Sequence, residues 1–256
     1  MRLGLDGMAV IVTGAARGIG AAIARTLAAE GVAGLVLVDR DADEAQAVAA
    51  GLPVATGVVA ADLADIAAVP FVAAAAITRF GRIDGLVNAA GLTTRGSFVT
   101  GTPQVWDDLF AVNARAAFFL MQAAIADMQA RRAAGAIVNI LSMNAHCGIP
   151  ELAIYAGTKG ALATLTRNAA HAHMADRIRV NGINLGWVAT ESEDRMQAQV
   201  IGRGPGWQAE AAARLPLGRL VTAEECARLA VFLLAEASVP MSGAVIDLDQ
   251  HVAGAL

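Results

Sequence analysis

One tyrosine and one lysine occur in the 256-residue chain, and they stand four residues apart, at Tyr155 and Lys159. Every other basic residue in the Lys+Arg total of 19 is arginine. On a helix, an i,i+4 spacing puts two side chains on one face, one turn apart. A free phenol has a pKa of about 10, too high for a useful base near neutrality. A neighbouring ammonium favours the phenolate. The phenol can then take a proton from a hydroxyl group or give one to a carbonyl oxygen. Lysine suits this task better than arginine because it is a compact point charge that also reaches hydroxyl groups. Ser142 lies at the end of the apolar run Ile137-Val138-Asn139-Ile140-Leu141. Its hydroxyl is placed to hold a reacting oxygen. Alone, the pair would better suit a buried tyrosine and a lysine that snorkels to solvent; the glycine turn and Ser142 reverse that.

The N-terminal region adds a second chemistry. Thr13-Gly14-Ala15-Ala16-Arg17-Gly18-Ile19-Gly20 follows an apolar run and opens a helical segment. Glycines allow a tight turn and close backbone approach to a pyrophosphate. The helix N-terminus behind them offers free N–H groups and a positive dipole end to an anion. Asp39 ends the next apolar run. A carboxylate there accepts from ribose hydroxyls and repels a 2′-phosphate, so the expectation is NAD in preference to NADP. Arg17 and Arg40 oppose it, since either guanidinium suits a 2′-phosphate.

Positioning these groups requires alternating strands and helices. Strands are expected over residues 8–13, 34–39, 54–60, 83–88, 136–141, 179–184 and 243–248. Helices are expected over 17–30, 41–50, 65–80, 102–131, 153–175 and 222–235. The strands are nearly continuous apolar runs, which indicates burial on both faces. The fold class is therefore α/β: a doubly wound, seven-stranded parallel sheet of Rossmann type with helices on both faces. Thr102-Pro103 marks a helix start, and Thr222 with Glu225 has capping-box spacing. No repeat, linker or domain boundary interrupts residues 1–256, so a single domain is expected. The irregular stretch 190–219 is too long for a plain connection and reads as a lid over a binding site.

Bulk properties exclude other classes. The formal net charge is -4 at pH 7, and no basic run exceeds Arg131-Arg132, which argues against nucleic acid as a partner. Hydrophobic residues reach 56%, much of it alanine, yet the best purely apolar run, 66–78, contains Pro70 and is too short to span a bilayer. No signal peptide is read at the N-terminus, so a cytoplasmic location and no membrane partner are expected. Cys147 and Cys226 form no disulfide framework. His146, His171, His173 and His251 form no ligand motif, so no metal is expected.

These spaced motifs resemble the short-chain dehydrogenase/reductase family in its compact single-domain form, over essentially the whole chain. The cofactor turn is Thr13 to Gly20, and the Asn-Ala-Gly stretch appears as Asn88-Ala89-Ala90-Gly91. The helix asparagine is Asn113, the catalytic set is Ser142, Tyr155 and Lys159, and the acid that touches adenine is Asp62, followed by Leu63. The resemblance implies an NAD(P)-dependent oxidoreductase that moves a hydride between nicotinamide and a secondary alcohol or ketone. Tyr155 would be the acid/base. Lys159 would lower its pKa and bind the nicotinamide ribose. Ser142 would hold the substrate oxygen, and Asn113 would keep a water in a relay to Lys159. Gly14, Arg17, Gly18, Ile19, Gly20, Asp39, Arg40, Asp62, Leu63, Asn88, Ala89 and Gly91 would bind the cofactor, with Val188 and Thr190 at the carboxamide. A homotetramer is also implied, with helices 102–131 and 153–175 at its interfaces.

Two departures stand out. The family's Asn-Pro-Gly is Asn184-Leu185-Gly186 here, which removes a fixed φ angle. Its C-terminal Asp-Gly-Gly is replaced by Asp247-Leu248-Asp249-Gln250. Asn144, His146, Glu151 and Trp187 are the expected substrate residues, with Glu191, Glu193 and Trp207 nearby in the lid. Their polarity suits a polyol, a sugar or another hydroxylated molecule. The alternative is a non-catalytic dinucleotide-binding sensor or scaffold, which would not need the Ser-Tyr-Lys-Asn set. An epimerase or dehydratase would carry a longer substrate domain.

Overall fold

The computed structural model describes residues 3–253. The chain runs β1 (Ala9–Thr13), α1 (Gly18–Ala29), β2 (Gly34–Asp39), α2 (Ala42–Ala50), β3 (Ala55–Ala60), α3 (Ala68–Phe80) and β4 (Gly85–Asn88). It continues through α4 (Pro103–Phe110), α5 (Ala117–Arg131), β5 (Gly135–Ile140), α6 (Ala153–His173) and β6 (Ile178–Leu185). The last part holds β7 (Val188–Ala189), α7 (Glu191–Arg195), α8 (Trp207–Ala212), β8 (Val221–Thr222), α9 (Ala223–Leu234) and β9 (Val245–Leu248).

The main sheet has seven strands in the order β3-β2-β1-β4-β5-β6-β9, and every pairing is parallel. Its direction of winding reverses between β1 and β4. Ligand crevices in such sheets open at the carboxyl ends of the strands beside that reversal. Apolar clusters fill both faces. Ile23 and Leu27 of α1 pack with Val231 and Leu234 of α9 on one side. Val72 of α3, Leu120 and Met121 of α5 and Leu162 of α6 pack on the other.

The helix expected over 102–131 is not uniform. A π-helical turn at Ala111–Ala116 separates α4 from α5. Such turns are frequent at functional sites, and this one carries Asn113. The combined helix Pro103–Arg131 is long and apolar enough to cross a bilayer by length and composition. In this fold its Leu109, Leu120, Met121, Ala124 and Met128 are buried in the core. The helix expected from residue 65 begins at Ala68. The Asp62 and Asp65 carboxylates accept from the Ala64 and Ala67 amides, each at 2.9 Å, and hold the preceding turns out of the helix.

Both expected caps form. Thr102 Oγ1 accepts from the Val105 amide at 3.2 Å. Thr222 and Glu225 make a complete capping box. The pair β7–β8 has only two residues per strand and lay beyond any periodicity in the sequence. It ties the two ends of segment 190–219 together. Leu185, in place of the family's proline, continues β6 in register with Leu248.

Candidate active site

A cleft of about 1210 Å³ opens at the carboxyl ends of the central strands. The glycine turn, Ser142, Tyr155 and Lys159, and residues of the 190–215 segment all line it.

The turn fits a dinucleotide closely. Gly14 has φ +66, and a Cβ on it would lie 2.9 Å from the Ala90 backbone. A Cβ on Gly20 would lie 2.1 Å from the Gly14 carbonyl. Thr13 Oγ1 accepts from the Ala89 and Ala90 amides, each at 3.1 Å, and joins β1 to the chain leaving β4. At the start of α1 no side chain caps the helix and no acid occupies the first turn. Its leading N–H groups therefore remain available to an anion.

Asp39 stands at the end of β2, and its two carboxylate oxygens accept from the Ala16 and Asp41 amides at 3.0 and 3.1 Å. Arg17 is held by Asp41 and by Glu44, the latter at 2.8 Å. Arg40 is exposed at the rim. Ile19, Asp62, Leu63, Gly91, Val188 and Thr190 also line the cleft. Asn88 does not. It is the buried last residue of β4 and donates to Asn139 Oδ1 of β5 at 2.8 Å.

Tyr155 and Lys159 come from the first turns of α6, and Ser142 follows β5. All three are buried. Lys159 Nζ donates to the Ile140 carbonyl at 2.8 Å and sits 5.8 Å from the Tyr155 ring centre. Burial pushes the Tyr155 phenol up to about 12, the Ser142 hydroxyl pulls it down, and the charge of Glu193 pushes it up. Burial brings the Lys159 ammonium down to about 8. Burial is the largest influence on the phenol.

Asn113 is committed to the scaffold. Its Nδ2 donates to the Leu92 carbonyl at 2.9 Å and to Thr158 Oγ1 at 3.0 Å, and its Oδ1 accepts from the Leu92 amide at 2.8 Å. Both amide protons are used, so the side chain ties the π turn to α6 and to the segment after β4. A Cβ on Gly91 would lie in ordinary contact with Asn113 Oδ1 at 3.5 Å and with Lys159 Nζ at 3.6 Å, which places this stretch beside both side chains.

The expected substrate residues separate into two groups. Asn144 and Trp187 line the cleft. Asn144 donates from its amide nitrogen to Ser142 Oγ at 3.2 Å and so orients that hydroxyl. His146 and Glu151 are not among the lining residues. His146 Nε2 pairs with Asp247 at 2.9 Å and with Asn184 at 3.1 Å. Glu151 is exposed, and its carbonyl accepts from Gly96. Glu191 is also exposed, whereas Glu193 lines the cleft. Trp207 is fully buried and anchors the segment by donating to Asp194 at 2.8 Å.

Residues not named for the site from the sequence also line the cleft: Arg95, Gln197, Arg203, Asp249 of the departing C-terminal stretch, and His251. The last two follow β9, at a carboxyl strand end, where a crevice is expected. Asp249 explains Gly186, since a Cβ there would lie 2.0 Å from Asp249 Oδ1.

A strand-turn-helix cradle for a dinucleotide and a buried Ser-Tyr-Lys set on one cleft define a nicotinamide-dependent oxidoreductase. The chain belongs to the short-chain dehydrogenase/reductase family. The family profile described as enoyl-(acyl carrier protein) reductase matches residues 14–250. The chain is 37% identical over 250 residues to gluconate 5-dehydrogenase of Gluconobacter oxydans, covering 96% of this chain and 94% of that one. It is also 37% identical over 217 residues to inactive 2-(S)-hydroxypropyl-CoM dehydrogenase 2 of Xanthobacter autotrophicus, covering 84% and 93%. The crystal structure of L-sorbose reductase from Gluconobacter frateurii, complexed with NADPH and L-sorbose, superposes with a TM-score of 0.93 at 29% identity and 100% coverage of both chains.

Proposed function

We propose that this chain is a polyol or sugar dehydrogenase that uses NAD and works through Tyr155. The observation that carries the proposal is the convergence of buried Ser142, Tyr155 and Lys159 on one cleft, with Tyr155 and Lys159 one turn apart on α6. Relatives named for gluconate, sorbitol and threitol support the substrate class.

The nicotinamide, when bound, takes or gives the hydride at the reacting carbon. Ser142, oriented by Asn144, donates to the substrate oxygen and fixes it beside the phenol. In oxidation Tyr155 must first lose its own proton to solvent; the phenolate then takes the hydroxyl proton as the C–H hydrogen leaves with its electron pair. In reduction Tyr155 returns that proton to the carbonyl oxygen. A phenol held near 12 enters as the neutral acid, so oxidation gains from alkaline pH. Lys159 holds the ribose side of the site. Asn113 acts as a positioning residue through Leu92 and Thr158. We take segment 190–219, anchored by Trp207, as the lid that excludes water.

NAD is favoured by local charge. Asp39, Asp41 and Glu44 gather around Arg17, and a 2′-phosphate would add two further negative charges at most, roughly. The NADPH in the sorbose reductase complex belongs to that protein; around Asp39 the charge here is acidic. We also propose a homotetramer that covers the exposed Trp106, Phe118 and Phe119 of α4 and α5. Light scattering tests it, and a monomer would refute it.

The test of function is initial rates with NAD⁺ and NADP⁺ on polyols, sugars, hydroxy acids and hydroxysteroids. Turnover of a polyol with NAD⁺, abolished in Tyr155→Phe while cofactor binding persists, is expected. Cofactor binding without turnover of any alcohol or matching carbonyl would overturn the proposal and favour a non-catalytic role.

A further inference from the structure

We propose that Glu193 selects polyhydroxylated substrates, its outer carboxylate oxygen accepting from a hydroxyl group next to the reacting carbon. The inference rests on the polyol reading above. Glu193 begins the lid in α7 and lines the cleft with Tyr155 and Ser142. Its Oε1 accepts from Trp187 Nε1 at 2.8 Å and from Gln197 Nε2 at 2.7 Å. Two rigidly placed donors thus fix the carboxylate. Among the described residues none donates to Oε2. The negative charge also reaches the Tyr155 phenol, which it pushes up.

Gln197 supplies a second observation. It lines the cleft, is only 6% exposed, and its Oε1 has no hydrogen-bond partner among the described residues. A buried carbonyl without a donor is costly. Glu193 Oε2 and Gln197 Oε1 are both acceptors, so the pair calls for a ligand rich in hydroxyl donors. A substrate with a single hydroxyl, already used at Ser142 and Tyr155, would leave both unpaired once the lid excludes water. Sites built to hydrogen-bond a hydroxyl reject analogues that lack it for this reason.

The neighbouring acids do not share the role. Glu191 is exposed, and Asp194 is taken by Trp207 and Gln208. Glu193 is the acid that the helix start aims inward: Thr190 caps its amide at 3.2 Å.

The experiment compares kcat/KM for a hexitol and for cyclohexanol, each with NAD⁺, in wild type, Glu193→Gln and Trp187→Phe. Glu193→Gln keeps the volume but turns the outer oxygen into a donor. Its hexitol-to-cyclohexanol ratio should fall by roughly 10- to 100-fold, mainly through the hexitol KM. Removing the charge should also shift the alkaline limb of the kcat profile to lower pH on both substrates, which a merely structural loss would not do. Trp187→Phe frees the carboxylate from one donor and should lower the ratio by a smaller factor. It keeps the test alive should Glu193→Gln not fold. A wild-type enzyme that prefers the hexitol, with both variants keeping that preference, would overturn this inference and leave the polyol reading intact. A wild-type enzyme with no such preference would overturn both.

Discussion

Lys159 Nζ lies 5.8 Å from the centre of the Tyr155 ring and gives a hydrogen bond to the Ile140 carbonyl at 2.8 Å, so β5 and not the phenol holds the ammonium in place. The two groups titrate out of their usual order of separation, Lys159 down to about 8 and Tyr155 up to about 12. Both shifts arise from burial. Burial moves each group toward its neutral form, although the Lys159 ammonium still predominates at neutral pH.

That order fixes a pH dependence of stability. Between about 8 and its ordinary 10.5, Lys159 is protonated in the unfolded chain but not in the folded one. Stability from this group therefore rises across that window and is lost as pH falls through 8. For Tyr155 the sign is opposite: its contribution is full below 10 and is lost as pH rises through about 12. Urea denaturation of Lys159→Met beside wild type should show wild type gaining relative stability across the lysine window. A constant difference between the two proteins would sink this account.

Gly20→Ala should disable the cofactor turn. The added methyl would meet the Gly14 carbonyl at 2.1 Å, with backbone on both sides. Overpacking of this kind costs about 1–3 kcal/mol, and the displaced turn loses its fit to a pyrophosphate. Titration of the dinucleotide, followed by quenching of tryptophan fluorescence, should show affinity reduced at least tenfold, or about 1.4 kcal/mol. Unchanged affinity would show that the turn does not hold the phosphates.

Much of this site was legible because its chemistry uses residues that the chain uses nowhere else. The lone Tyr155 and Lys159, and glycines between a strand and a helix, need no tertiary information. The strands were legible because burial on both faces makes them apolar throughout. What escaped depends on contacts distant in sequence. The π turn exists where Asn113 meets Leu92 and Thr158, which no local pattern encodes. His146 looked like a substrate residue because it follows Ser142 closely. It turns away because Asp247, 101 residues later, provides a partner. Gln197 was invisible for the same reason: which face of a short helical segment looks inward is decided by packing.

Asn113→Ala tests the positioning role. It removes three hydrogen bonds at once and leaves the Leu92 amide and carbonyl without partners. Unsatisfied buried groups cost about 1–3 kcal/mol each. The variant should melt several degrees lower and lose kcat by roughly 10-fold or more, with KM less affected. Asn113→Asp, which keeps the acceptor for the Leu92 amide, should recover part of the melting temperature. Wild-type kcat in Asn113→Ala would remove Asn113 from the machinery.

Glu225 governs an acid-side transition. Its carboxylate pairs with Arg219 and accepts from the Thr222 amide, contacts that bring its pKa down to about 2. The stability it contributes is present above its ordinary 4.5 and is lost as pH falls through about 2. Glu225→Ala removes half of the capping box and should cost about 1 kcal/mol at neutral pH. The deficit should shrink as the pH drops below 4.5, because wild type then loses the same contacts. Denaturation at pH 7 and pH 3 distinguishes this from a deficit independent of pH, which would assign the loss to packing alone.

The proposed preference for NAD rests on the acids around Arg17. Asp39 ends β2 with both oxygens on backbone amides, and each oxygen still has a lone pair for a ribose hydroxyl. Arg17, the guanidinium closest to the turn, is neutralised by Asp41 and Glu44. Replacing Asp39 with serine removes the negative charge nearest the ribose, and the preference for NAD⁺ over NADP⁺ in kcat/KM should fall roughly tenfold or more. Adding Glu44→Gln should lower it again, since Arg17 then has one fewer anionic partner and becomes available to a 2′-phosphate. The two effects should combine in the same direction, because one substitution removes a repulsion and the other uncovers an attraction. A wild-type enzyme that already prefers NADP⁺, or a ratio unmoved by both changes, would mean that Arg17 and the exposed Arg40 outweigh the three carboxylates.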